Sequence, residues 1–371
     1  MRRTTFRWTG GPALALAAML VLAACGGDDD DGETTDDGDA ADEPAEDDTD
    51  DGAGEEEVDM GEPVTLTFAH PFPEVHHIQQ NMIEPWAEDV SEATDGTVTI
   101  EIHPAGALTT PAEVYDNAVA GAYDIGWALE GYTPGRFPLT DVVELPFAFE
   151  SAEQATDALW DLYEEFPEFQ EEYSDVKVLA LWTHDVGNLY TVGQQVTEPD
   201  LSGLTLRAPG PIQTSLIEAM GGAGVGMPAP ELYDSLERGV IDGLMIGDTG
   251  IPTFSLHEVV DHVTVGNFFV GAEFMVMNQA TWDSLSEAQQ EAIDGLIGRE
   301  FSHVGAASYD TGNQENVDFE GWGFTVTNVL DDIEPWQEAA QPVIDDWIAA
   351  RESEGVDGQA IYDRLLEITG N

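Results

Sequence analysis

The chain has 371 residues, 42% of them hydrophobic, which is enough for a substantial core in one large or two ordinary domains. Asp and Glu number 75 against 10 Lys and Arg, so the formal net charge is -65. Such an anionic surface excludes a nucleic-acid partner, because phosphate backbones are bound by clustered cations. It also indicates an acidic, halophilic type of protein, since high ionic strength screens repulsion between like charges.

Residues 1–24 have the pattern of a bacterial signal peptide. Three arginines form a positively charged start, and the apolar run that follows is too short to span a bilayer. The sequence then reads Leu22-Ala23-Ala24-Cys25-Gly26, which resembles the lipobox of bacterial lipoproteins. That resemblance implies that Cys25, the only cysteine, is acylated. We therefore expect an extracytoplasmic protein, held by this lipid anchor on the outer face of the cell membrane or in the periplasm.

Residues 25–62 consist of Asp, Glu, Gly, Ala and Thr with hardly a large apolar side chain. Such a segment cannot bury enough surface to offset the entropy of ordering, so we predict a disordered tether. Repulsion between its like charges extends it away from the membrane. The folded domain is predicted to occupy residues 63–371.

Strand-like and helix-like segments alternate from residue 64 onward, which predicts an α/β fold. A first set has strands over 64–69, 97–103, 124–129 and 176–182, with helices over 76–93, over 110–120 and from 151. A second set has strands over 189–192, 204–207 and 243–246, with helices over 212–220 and 230–238. The run 268–277 is expected to return to the first set, and helices from 286, over 333–351 and over 359–369 complete the chain. Two α/β lobes with crossing strands and long C-terminal helices predict a ligand cleft between the lobes.

Capping patterns place the starts of three helices. Thr110-Pro111-Ala112-Glu113 combines a capping residue with proline at the first helical position and glutamate at the third. Ser151 and Ser286 each stand three residues before a glutamine, as in a capping box.

Sequence motifs of the common enzyme classes are missing. The chain has no Gly-x-Ser-x-Gly elbow, and its only lysine, Lys177, does not stand in a phosphate-binding loop. We therefore expect a protein that is not an enzyme and uses no cofactor. A secreted acidic hydrolase with paired carboxyl groups remains an alternative, although no spacing singles out a pair.

The histidines give a weak metal signal. His257 and His262 resemble a zinc-protease helix, but they are five residues apart rather than the four that place both on one helix face. His70, His76 and His77 have no second cluster of ligands to complete a site. No metal site is expected, and a metal-uptake binding protein is kept as a further alternative.

Six segments carry a resemblance to a known family. Four of them are residues 66–70, 85–96, 103–108 and 131–147. The two most specific are Asp200-Leu-Ser-Gly-Leu-Thr-Leu-Arg207 and Met227-Pro-Ala-Pro-Glu-Leu-Tyr-Asp-Ser-Leu-Glu-Arg-Gly-Val-Ile-Asp-Gly243. Residues 64–371 resemble the solute-binding proteins of tripartite ATP-independent periplasmic (TRAP) transporters, of the DctP type. The resemblance implies a two-lobed, periplasmic-binding-protein-like fold that closes on a small organic carboxylate. It also implies delivery to the small and large membrane subunits of the transporter.

The resemblance further implies that Arg207 clamps a carboxylate of the ligand. A planar guanidinium presents parallel donors that match a carboxylate, and a closed cleft strengthens the pair. An internal salt bridge is the alternative for Arg207, whereas Arg136 and Arg238 fit structural roles. Many family members carry a second arginine after the strand that ends near Trp182, and this chain has His184-Asp185-Val186-Gly187 there. The departure suggests a single arginine clamp.

Other predicted ligand-binding residues are aromatic or neutral. Trp127 is expected to meet the cleft and to stack on the ligand, with core packing as the alternative. Asn188 and Thr191 could supply neutral hydrogen bonds, and Asp248 could receive a ligand cation or hydroxyl. The remaining candidates are His70, Tyr132 and Phe269.

Overall fold

Two β-sheets organise residues 59–370, the part of the chain that the computed structural model describes. The predicted signal peptide, Cys25 and most of the predicted tether lie outside these residues. The strands are β1 (Val64–Ala69), β2 (Val98–His103), β3 (Ile125–Leu129), β4 (Val176–Thr183), β5 (Gly187–Thr191), β6 (Thr205–Ala208), β7 (Ala223–Gly226), β8 (Gly243–Gly247), β9 (His262–Phe269), β10 (Ala272–Asn278) and β11 (Thr325–Asn328).

Each sheet forms the centre of one lobe. The first has the order β2-β1-β3-β10-β4, with β1 parallel to β2 and β3, and β10 antiparallel to β3 and β4. The second has the order β11-β9-β5-β8-β6-β7, with β5 antiparallel to β8 and β9. The chain passes from the first sheet to the second between β4 and β5, and it returns between β9 and β10. The predicted two-lobed α/β fold with crossing strands is confirmed.

Helices cover the sheets. They are α1 (Glu84–Ala93), α2 (Val114–Val119), α3 (Ala152–Glu165), α4 (Pro167–Glu171), α5 (Pro211–Ala219), α6 (Leu232–Glu237), α7 (Gly250–Thr253), α8 (Gln279–Ser284), α9 (Glu287–Asp294), α10 (Arg299–Asn316), α11 (Glu334–Glu354) and α12 (Gly358–Thr369). A π-helical turn, Gln79–Ile83, leads directly into α1. Among residues 59–370, no helix is both long enough and apolar enough to cross a membrane.

Both predicted serine caps are present, and one of them forms the complete capping box. Ser286 forms the reciprocal box at the start of α9. Ser151 accepts from the Gln154 backbone N–H at 3.1 Å, but the Gln154 side chain accepts from the Glu150 backbone N–H instead of returning to Ser151. The start at Thr110 differs: the Thr110 hydroxyl donates to a carboxylate oxygen of Glu113 at 2.7 Å, and the first turn is a 3-10 helix. The two side chains satisfy each other, so neither caps the backbone.

The last four residues of the predicted tether include contacts with the folded domain. The Ser286 hydroxyl donates to the Met60 carbonyl at 2.8 Å, and Gln289 donates through its side-chain amide to the Glu62 carbonyl at 3.1 Å. Ordered contacts therefore begin before residue 63.

The long C-terminal helix α11 connects the two lobes. It packs against α5 of the second lobe, and its Trp347 indole N–H donates to the Pro138 carbonyl of the first lobe at 3.1 Å. The neighbouring helix α12 packs on α3, where Arg364 pairs with Glu165 at 2.7 Å. Helix α11 therefore contacts both lobes. The segments that cross from one sheet to the other lie between the lobes.

Candidate functional site

A cavity lies between the lobes, beside the point where the chain crosses from β4 to β5. Protein atoms leave about 400 Å³ unfilled there, a volume that includes solvent-open space at the edge of the cavity. Most of its wall is apolar or aromatic, with a few polar groups that converge on it, which is typical of a small-molecule site. The lining residues are Phe72, His76, Leu129, Tyr132, His184, Asp185, Arg207, Pro209, Ala229, Ile246, Gly247, Thr249, Gly250, Phe254 and Tyr309.

Arg207 provides the positive charge of this cavity. It lies on β6, between β7 and β8, and is only 1% exposed. Its Nε donates to the Met227 carbonyl at 2.7 Å, and its Nη1 donates to the Met245 carbonyl at 2.8 Å. A guanidinium has five N–H donors, more than these carbonyls can use. Burial lowers the pKa of Arg207, because the charged form is removed from water.

Arg207 stands apart from the other basic side chains. Within residues 59–370, it is the only lysine or arginine that forms no ion pair with a carboxylate. The internal salt bridge considered for it is therefore not formed there. The ion pairs of the others are Arg136–Asp175, Lys177–Asp294, Arg238–Asp234, Arg299–Asp157, Arg351–Glu354 and Arg364–Glu165. A buried cation without a counter-charge is costly, and an anion in the cavity would remove that cost.

Tyr132 links the two lobes across the cavity wall. It follows β3 in the first lobe, and its hydroxyl oxygen accepts the Ala229 backbone N–H of the second lobe at 2.9 Å. The same hydroxyl interacts with the Arg207 guanidinium. Burial raises the pKa of Tyr132, so the phenol is neutral near pH 7.

Trp127 and His70 lie behind the cavity wall rather than on it. The Trp127 ring centroid is 4.4 Å from that of Phe72 and 4.8 Å from that of His70, and its indole N–H donates to Glu273 at 2.6 Å. Burial lowers the pKa of His70 to about 4. The structure thus places Trp127 in the first-lobe core, the alternative considered for it, where it supports the lining residue Phe72.

Four further candidates also lie off the wall. Asn188 donates to Asp248 at 2.8 Å, and Asp248 also accepts a hydrogen bond from the Tyr190 hydroxyl. Thr191 is the last residue of β5, and its hydroxyl donates to the Gln194 carbonyl. Phe269 packs its ring perpendicular to that of His184 in the crossing segment, with 5.5 Å between centroids. Of the eight predicted ligand-binding residues, the structure places Arg207 and Tyr132 on the cavity wall.

Asp185 is a lining residue that the sequence did not single out. It lies in the crossing segment and accepts hydrogen bonds from the Thr249 hydroxyl, the Thr249 backbone N–H and the Asn313 side chain. Burial, and then the nearby Asp248, raise the pKa of Asp185 to about 8. In the sequence, one feature indicated Asp185. It lies shortly after the buried strand β4, where the family resemblance implies an arginine.

His184 and Tyr309 complete the polar part of the wall. The His184 Nδ1 lies 2.6 Å from the Asp185 carbonyl oxygen, and burial lowers the pKa of His184 to about 4. The Tyr309 hydroxyl donates to Glu273 at 2.6 Å, and burial raises the pKa of Glu273 to about 7. The histidine is therefore neutral at pH 7, which leaves Arg207 as the cation of the wall.

Metal ligation has no support among residues 59–370. They contain no group of three or more His, Cys, Asp or Glu side chains that could hold a metal ion. His257 lies in a 3-10 turn, Leu256–Glu258, and His262 begins β9, so the two do not share a helix face.

Comparison with known proteins decides the family. The model of the bacterial extracellular solute-binding proteins, family 7, which is the DctP family, matches residues 68–350. The chain belongs to this family. Two similar solved structures are TRAP solute-binding proteins, which are binding proteins rather than enzymes.

The two structures cover most of the chain. One is a TRAP periplasmic solute binding protein from Bordetella bronchiseptica with bound (R)- and (S)-mandelate, at 29% identity and a TM-score of 0.77, covering 83% of this chain and 99% of that one. The other is a marine metagenome TRAP solute binding protein from an unidentified microbe, specific for aromatic acid ligands and in complex with metahydroxyphenylacetate. It has 28% identity and a TM-score of 0.77, covering 83% of this chain and 98% of that one.

One curated relative is the outer membrane transporter protein TsaT of Comamonas testosteroni. It is 26% identical over 290 residues, which are 76% of this chain and 85% of TsaT. The family 7 membership establishes an extracellular type of solute-binding protein that works with the membrane subunits of a TRAP transporter.

Proposed function

We propose that this TRAP solute-binding protein captures a small aromatic carboxylate, binds its carboxylate group through Arg207 and delivers it to the membrane subunits. The unpaired, buried guanidinium in the interlobe cavity is the observation that carries the proposal. A ligand carboxylate is the natural counter-ion, because it accepts two parallel N–H bonds from a guanidinium. In a cavity closed to water this charge-assisted pair is stronger than at a surface.

The cavity wall supports an aromatic ligand skeleton. Phe72, Tyr132, Phe254 and Tyr309 all line the space. Aromatic rings pack in offset or edge-to-face arrangements that favour a flat, apolar ligand body. The two similar structures, whose ligands are aromatic acids, point in the same direction.

A thermal-shift screen of organic acids on the mature protein tests this proposal. At 100 times its dissociation constant, a ligand adds about 2.7 kcal/mol to the free energy of unfolding. We therefore expect at least one aromatic acid to raise the melting temperature by several degrees. Benzamide is the matched neutral control for benzoate, because it has the same ring without the charge. Stabilisation by neutral amides and by none of the acids would contradict the proposal.

We also propose that Cys25 carries the lipid that holds the protein at the membrane. The support is the lipobox-like sequence before it and the acidic stretch after it. Cys25→Ser is expected to move the protein from the detergent-extracted membrane fraction to the soluble fraction, as followed by immunoblotting. Equal membrane retention of the two forms would contradict acylation at this position.

A further inference from the structure

The polar end of the cavity at Asp185 points to a second recognition element. We propose that Asp185 is a specificity-determining residue, whose carboxyl group forms a hydrogen bond with a hydroxyl group of the acid that Arg207 binds. This inference rests on the proposed function and deepens it: the preferred ligand is a hydroxylated aromatic monocarboxylate.

The Asp185 carboxylate is oriented by three hydrogen bonds. Its Oδ1 accepts from the Thr249 hydroxyl at 2.7 Å, and its Oδ2 accepts from the Thr249 backbone N–H at 3.0 Å and from Asn313 at 3.1 Å. With a pKa of about 8 the Asp185 carboxyl group is largely protonated near pH 7, so it has an O–H donor besides its acceptor positions, and Oδ1 keeps capacity for one further hydrogen bond. Because the side chain lines the cavity and is 1% exposed, the partner must come from within the cavity.

The backbone beside Asp185 leaves room for this carboxylate. A Cβ at Gly247, on β8, would lie 2.4 Å from the Asp185 Oδ1. Any side chain at Gly247 would therefore push the carboxylate out of place. Gly247 itself lines the cavity beside Asp185.

Arg207 and Asp185 can act on different parts of a ligand. Both line the cavity, yet no ion pair joins them among the described residues. Burial, and then the neighbouring Asp248, raise the pKa of Asp185, so this end of the cavity carries little charge near pH 7. A ligand hydroxyl, which can both donate and accept, would complete the hydrogen bonding of Oδ1.

Asp248 offers a matched control within the same network. It is buried and acidic like Asp185, but it does not line the cavity, and its Oδ1 already accepts from Asn188 and Tyr190. Asp248→Asn lowers the pKa of Asp185, but a ligand hydroxyl can bond to either form of that carboxyl group, so the preference for a hydroxyl group should be retained.

Calorimetry on the mature protein tests the inference. The probes are benzoate, its three monohydroxy isomers, phenylacetate, mandelate and 3-(aminomethyl)benzoate. We expect the wild type to bind at least one hydroxylated acid about tenfold tighter than its parent, the upper end of the net contribution of one hydrogen bond. Asp185→Ala and Asp185→Ser should both reduce this ratio to below about threefold, while Asp248→Asn retains it.

The assignment is wrong if the wild type binds every parent acid as tightly as its hydroxylated derivatives. It is also wrong if the preference for the hydroxylated acid survives in either Asp185 variant, or if 3-(aminomethyl)benzoate binds most tightly. If neither Asp185 variant folds, a wild type without a hydroxyl preference still overturns the inference. Binding of parent acids without a hydroxyl preference removes only this inference, whereas no binding of any acid removes the proposed function.

Discussion

Replacing Arg207 with alanine is expected to weaken binding of the carboxylate ligand by a hundredfold to several thousandfold. Removing one partner of a buried ion pair costs about 3–5 kcal/mol, because the remaining charge is left without compensation. In this protein the ligand is the only counter-ion available to Arg207, since the described residues provide it with no carboxylate. Isothermal titration calorimetry with the best acid from the screen measures the loss.

The matched control is Arg238→Ala. Arg238 is an exposed arginine that pairs with Asp234 at 3.1 Å on the surface of α6, and such pairs contribute little. Its loss should leave affinity unchanged. Arg207→Lys keeps the charge but loses the planar, two-pronged donor, so an intermediate affinity is expected. A change below about fivefold in the alanine variant would rule out the clamp.

The folded domain is expected to melt at a clearly higher temperature in 1 M than in 0.01 M sodium chloride. Adjacent acidic residues are exposed on its surface, among them Asp331 with Asp332 and Asp345 with Asp346. At 0.01 M the Debye length is about 30 Å, comparable with a domain diameter, so repulsion acts across the whole molecule. At 1 M it falls to about 3 Å, and only neighbouring charges still interact. We propose on this basis that the protein is adapted to high salt.

A protein that begins at residue 59 isolates this effect from the acidic stretch before it. A rise of at least about 5 °C is expected, equivalent to roughly 2 kcal/mol for a domain of this size. Sodium chloride is the appropriate salt, because sulfate also strengthens apolar burial. Replacing Asp331, Asp332, Asp345 and Asp346 with asparagine should make the melting temperature less sensitive to salt. A temperature that stays flat or falls with salt would contradict the high-salt adaptation.

Not every acidic pair contributes to this repulsion. Glu171 is exposed, but the adjacent Glu172 is half-buried and accepts the Leu139 backbone N–H at 2.6 Å and the Thr140 hydroxyl at 2.8 Å. Burial raises the pKa of Glu172 to about 7, which reduces its charge near neutral pH. Counting charges in the sequence therefore overstates the surface charge at such positions.

Local patterns in the sequence determined most of the fold. The β1 limits, the helix starts at Ser151 and Ser286 and the return of the chain to the first sheet along β10 all follow from alternation, capping and apolar runs. These features depend on residues close together in the chain, so they can be predicted without tertiary contacts. The family motif that ends in Arg207 identified the one arginine that lines the cavity.

Only the tertiary structure decided which other side chains meet the ligand space. All five residues of β3 are buried, so no alternation distinguishes Trp127, in the core, from a side chain on the cavity wall. Asp185 was one acid among 75, and its environment comes from Thr249 and Asn313, which are 64 and 128 positions away in the chain. The sequence determines a strand and its burial through near neighbours, whereas a binding site depends on contacts that exist only after the lobes have folded together.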